Sequence, residues 1–113
     1  MKTKIIDMKG LTRGDTLAFA VRGKGVTVDV VNAYFSVKSD KNATEYMFQK
    51  SIDHGITQVE KGLYTVEVLP SDTYNLTLGT YWYDFQLDFG NDSIITPLKG
   101  AFELTYDITR EII

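Results

Sequence analysis

The chain has no cysteine, one histidine, one tryptophan and two prolines in 113 residues. Without Cys there is no disulfide, no thiolate metal site and no Cys nucleophile. A Cys-free chain is also indifferent to redox state, so its compartment stays open. The one histidine, His54, has no second His to converge with. Between Asp53 and Gly55 it reads as a solvated turn residue rather than a catalytic base. No apolar run is long enough to span a membrane; Ile5-Ile6, after the leader-like Met1-Lys2-Thr3-Lys4, is followed at once by Asp7. The expectation is a soluble chain without a signal peptide, complete as it stands and with no membrane partner. The 12 Lys and Arg are outnumbered by 15 Asp and Glu, giving a net charge of −3. They cluster nowhere, which argues against a nucleic-acid partner. No segment carries the 3.6-residue period of an amphipathic helix, and there are no repeats or linkers.

What is abundant is aromatic: seven Tyr and six Phe. The stretch from Leu76 to Phe89 shows what they do. After Gly79-Thr80, Tyr81, Tyr83, Phe85, Leu87 and Phe89 alternate with Trp82, Asp84, Gln86 and Asp88. Period two with five large side chains on one face predicts the central strand of a β-sandwich. Similar alternation predicts strands over 15–22, 32–38 (Ala33, Phe35 and Val37 inward), 46–50, 56–59, 63–69 (Tyr64, Val66 and Val68 on one face), 94–98 and 100–106. The β-branched run 26–31 reads as one more. Gly23-Lys24-Gly25, Glu60-Lys61-Gly62 and Gly90-Asn91-Asp92-Ser93 read as turns. Pro70 ends a strand, and Ser71-Asp72-Thr73 caps one helical turn over 74–76. Pro97 marks a bulge or an edge. The predicted fold is a single domain over 1–113, all-β. Its architecture is an immunoglobulin-like β-sandwich of seven to nine strands in two antiparallel sheets.

Motif matches give little chemistry. Arg13-Gly14-Asp15 is explained by a turn at Gly14 before the first strand, and Asp88-Phe89-Gly90 by a strand end and its turn glycine. Asp88, Asn91 and Asp92 offer hard oxygens, but their spacing matches no calcium loop. Asp84 and Asp88 lie about 13 Å apart along one strand face, at 3.3 Å per residue. That is wider than the about 5–9.5 Å of paired-carboxylate catalysis. No metal and no cofactor is expected. Trp82 is the residue that stands out. It lies opposite the aromatic row, where either it marks a contact surface or both faces of the strand are partly buried.

Several segments in order carry a resemblance. They are Arg13-Gly14-Asp15-Thr16, Gln49-Lys50-Ser51, Gly55-Ile56, Gly62-Leu63-Tyr64-Thr65-Val66 and Pro70-Ser71-Asp72-Thr73. The series closes with the run 78–87, Gly100-Ala101-Phe102-Glu103-Leu104 and Asp107-Ile108-Thr109-Arg110. Together they resemble the small immunoglobulin-like domains of bacteriophage and prophage tails. The nearest comparison is the N-terminal domain of siphophage baseplate upper proteins, which continue into further modules where this chain stops. The resemblance implies a non-enzymatic structural protein located in the virion tail, or in the bacterial cytoplasm during assembly. Its implied partners are other tail or baseplate proteins, with self-association as a companion expectation. Candidate contact residues are Trp82, Tyr34, Ile112 and Ile113. Tyr81 or Tyr83 is the candidate for a tyrosine corner. The alternative is a carbohydrate-binding module for host-surface recognition, with Trp82 and Tyr34 or Tyr46 as the sugar platform.

Overall fold

The computed structural model describes residues 2–109; Ile112 and Ile113 lie outside them. Nine strands and one helical turn follow in the order β1 (Lys4–Ile5), β2 (Met8–Thr12), β3 (Leu17–Arg22), β4 (Asn32–Lys38), β5 (Phe48–Ile52), β6 (Gly55–Glu60), β7 (Leu63–Val68), α1 (Pro70–Thr73), β8 (Gly79–Asp88) and β9 (Ile94–Thr105). The all-β expectation holds.

All nine strands belong to one mixed sheet, in the path β1-β9-β8-β4-β5-β6-β7-β3, with β2 also paired to β9. The expectation of two wholly antiparallel sheets misses three features. β1 and β2 run parallel to β9, and β5 pairs parallel with β6. The β5–β6 join is minimal, made of Ser51↔Gly55 and Ile52↔Ile56. Asp53, in the left-handed region at φ 66°, swings the chain round between them. The sheet therefore continues through this joint and curls on itself instead of ending at β5.

Burial of one face drives the curl. Ala33, Phe35 and Val37 of β4, Tyr64, Val66 and Val68 of β7, and Tyr81, Tyr83, Phe85 and Leu87 of β8 are all buried. Rings meet across strands that are not neighbours in the path. Phe19 of β3 stands edge-on to Phe35 of β4 at 5.3 Å, and Tyr64 of β7 lies 5.9 Å from Phe85 of β8. Such contacts add roughly 0.5–1.5 kcal/mol each beyond the area they bury.

Two segments differ from the sequence reading. The run 26–31 is a loop, although its valines favour a strand. Its N–H groups go elsewhere: Val26 to the Gly23 carbonyl, Val30 to Gln58 Oε1 and Val31 to the Asp88 carbonyl. Residues 94–105 form one strand rather than two. Leu98 opposes Phe85 and Ile95 opposes Leu87, so an extra residue beside Pro97 makes a bulge without breaking the ladder.

The helical turn also begins earlier than expected, at Pro70, where a missing N–H costs nothing. Asp72 Oδ2 accepts the Leu69 N–H at 2.7 Å and meets Lys50 Nζ of β5 at 2.6 Å. Both charged side chains are largely buried. At the far edge the chain bends over β9 at Ile6-Asp7. A Cβ on Gly100 would overlap the Ile6 carbonyl, so only glycine permits this approach. Tyr83 Oη donates to that same carbonyl at 2.6 Å. Asp7 Oδ1 accepts the Ala101 N–H at 3.0 Å.

Candidate functional site

The outward face of β4 and β8 forms the site. Alternation points Tyr34, Ser36 and Lys38 away from the core on β4, and Trp82, Asp84 and Gln86 on β8. The antiparallel register places Tyr34 opposite Gln86, Ser36 opposite Asp84 and Lys38 opposite Trp82. β5 extends the middle row with Gln49 opposite Ser36, and β9 extends it with Lys99 opposite Asp84. The 39–47 segment and the Ile5–Asp7 bend raise the rims. The result is an open groove of 780 Å³, reached by Tyr46, Asp40 and Lys41 from one rim and Ile5 and Asp7 from the other.

Several of its side chains are held in place. Gln49 Nε2 donates to Ser36 Oγ at 2.9 Å. Gln86 Nε2 lies 3.4 Å from Asp84 Oδ2. Lys41 Nζ stands 4.2 Å from the Trp82 ring centroid, and Lys38 Nζ 5.2 Å from that of Tyr46. Both are cation–π distances. Burial raises the Asp84 carboxyl above its ordinary value, while Lys38 and Lys99 pull it back down. Desolvation thus exceeds attraction for this carboxylate.

The structure therefore brings Trp82 and Tyr34 into one groove, together with Tyr46. Trp82 is half-buried there, between the two readings its position allowed. Ser36, Lys38, Lys41, Gln49, Lys99 and Asp7 were not foreseen as site residues. The polar alternation of β4 was visible, but the pairing that adds Gln49 and Lys99 to its face is long-range. Ile112 and Ile113 fall outside the described residues.

Other motif residues lie elsewhere and are structural. Gly14 is buried and its N–H donates to Thr73 Oγ1 at 2.8 Å, while Arg13 Nη1 donates to the Leu76 carbonyl at 2.9 Å. Arg13-Gly14-Asp15 is thus a docked turn and not a presented tip. His54 is exposed. Asp88 Oδ1 accepts the Gly90 N–H at 2.8 Å, inside the hairpin. Among the described residues no three His, Asp or Glu side chains gather as metal ligands would. Tyr81 Oη donates to the Thr77 carbonyl four residues upstream at 2.8 Å, which fits a tyrosine corner; Tyr83 bonds Ile6 instead.

Comparison with protein-family models gives no match, and comparison with curated proteins gives none.

Proposed function

We propose that this is a non-enzymatic, immunoglobulin-like domain of a phage or prophage tail or baseplate, working by contact with other tail proteins. The topology supports the fold half of this reading. Strands β3, β7 and β6 follow one another on one side of the curl, and β9, β8, β4 and β5 on the other. We read those sets as the two layers of an immunoglobulin-like sandwich, and the Tyr81–Thr77 bond, of the kind a tyrosine corner makes, supports that reading.

The observation that carries the contact half is an apolar end. Loop 23–31, the β6–β7 turn and the β8–β9 hairpin all lie at one end, since Arg22 pairs with Leu63 and Asn32 with Asp88. Val28, Val31, Val59 and Ile94 there are each more than half exposed. The end is also braced: Gln58 bonds both Val30 N–H and Asp29, and Gly23 N–H bonds the Gly62 carbonyl. Braced, exposed aliphatic side chains suit a protein interface, where little ordering is left to be done on binding.

The test is light scattering of the chain alone and mixed with tail proteins encoded beside it. A complex of fixed stoichiometry is expected. The double variant Val31→Glu, Ile94→Lys should weaken it by about tenfold or more while leaving Tm unchanged. No complex with any of those proteins, or an equally tight one from the variant, would count against the reading.

A further inference from the structure

The β4–β8 groove differs chemically from the apolar end. It holds the aromatic rings of Tyr34, Tyr46 and Trp82, with the buried Tyr83 behind them, among amides, a hydroxyl and charges. The charges balance: Asp7, Asp40 and Asp84 against Lys38, Lys41 and Lys99. A polyanion would meet three carboxylates and a polycation three ammonium groups, so the groove selects for neither. A protein partner would meet the aromatic rings that interface centres favour, but set among Lys, Asp and Ser, in which those centres are depleted. A neutral polyhydroxylated ligand matches both surfaces. Its C–H faces can lie on the rings, and its hydroxyls can both donate to carboxylates and accept from ammonium and amide groups.

The spacing is informative too. Tyr34 pairs with Gln86, and Trp82 lies four residues further along β8. The two platforms are thus about 13 Å apart along the strand. Between them lies the polar row Gln49, Ser36, Asp84 and Lys99. Two stacking positions separated by a hydrogen-bonding row suit several linked sugars rather than one. Both platforms and the whole polar row sit within paired strands, so the arrangement is preorganised.

The geometry points to a binding site for a neutral oligosaccharide in this groove, with Trp82 and Tyr34 as stacking platforms, Asp84 and Lys99 pairing with hydroxyls between them and Gln86 with those beside Tyr34. Lys41, over the Trp82 ring, is displaced by the sugar. The site is separate from the apolar end, so it stands whether or not that end docks a tail protein.

Trp82 is the only tryptophan, so emission of the full chain reports on this groove alone. The experiment screens the full chain on an array of neutral and acidic glycans. It then titrates chitohexaose, maltohexaose, cellohexaose and each neutral array hit while following Trp82 emission. A saturable change with at least one neutral oligosaccharide is expected. Tyr34→Ala should weaken that binding by about tenfold or more, with Trp82 still reporting. Trp82→Ala should do the same by calorimetry, and Lys41→Ala should tighten binding. Thermal melts confirm that each variant is folded, and both aromatics are only half-buried. No emission change with any neutral glycan overturns the proposal. So does binding restricted to acidic glycans, or binding indifferent to both Tyr34→Ala and Trp82→Ala.

Discussion

Tyr83 shows how one residue joins the core to an edge. Its ring packs 5.5 Å from Phe35, while its hydroxyl reaches the Ile6 carbonyl on the chain crossing β9. Burial, with Asp7 as the lesser cause, pushes its pKa up to about 12. The neutral form is therefore the one the fold holds. Its contribution is whole below pH 10, near the unfolded value, and is lost as pH climbs from 10 towards 12. Tyr64 is raised in the same direction by burial, so it adds to the alkaline loss. Tyr83→Phe should cost about 1 kcal/mol at pH 7, the net worth of one hydrogen bond. Its Tm should then fall less between pH 10 and 12 than that of the parent chain. Melts across that range check this; parallel curves for the two proteins would show that Tyr83 ionisation does not drive the loss.

At the scale of elements, α1 is a single turn that could not persist alone, since helix nucleation is costly. Lys50 of β5 and the Leu69 N–H both converge on Asp72, which ties the turn to the sheet. Removing one partner of a buried pair strands the other charge, at a cost of about 3–5 kcal/mol. Asp72→Ala should lose about that much by urea denaturation, whereas Lys50→Met with Asp72→Leu should recover a large part. Equal losses would mean that the charges themselves, rather than the stranding of one, matter. The capping role of Asp72 was legible in Ser71-Asp72-Thr73, but the ion pair was not, because nothing local in Gln49-Lys50-Ser51 announces a carboxylate 22 residues away. The strands that were legible are those whose two faces differ. β4 and β7 alternate so regularly that only one register buries Phe35 and Tyr64. β1 and β2 escaped notice because Lys4–Ile5 and Met8–Thr12 are short, mostly exposed and defined by their parallel partner β9. The run 26–31 misled for the opposite reason, since its valines carry strand propensity while side chains and turns take its hydrogen bonds. In the candidate site, Trp82 and Tyr34 could be picked out singly. Their shared groove required the β4–β8 register, which is a tertiary fact.

For the whole molecule, a hydrogen-bonded path and a packed core have different weak points. Inside the path the thin joint is β5–β6, where two residue pairings connect β6, β7 and β3 to the rest. So slight a ladder cannot make the two parts cooperative, and the core must. Phe35 is its hub. The ring lies 5.3 Å from Phe19 on β3, 6.1 Å from Phe48 on β5, 5.5 Å from Tyr83 on β8 and 6.2 Å from Phe102 on β9. Those strands include one end of the path and two near the other. Phe35→Ala should therefore cost about 3–5 kcal/mol, a large share of the roughly 5–15 kcal/mol typical of a domain. The more discriminating outcome concerns where the loss is felt. Native-state hydrogen exchange should show protection falling together in β3–β7 and in β8–β9, because one ring supports both sides of the curl. Protection lost on one side alone would mean that the two parts unfold independently and that the β5–β6 joint is a hinge rather than a seam.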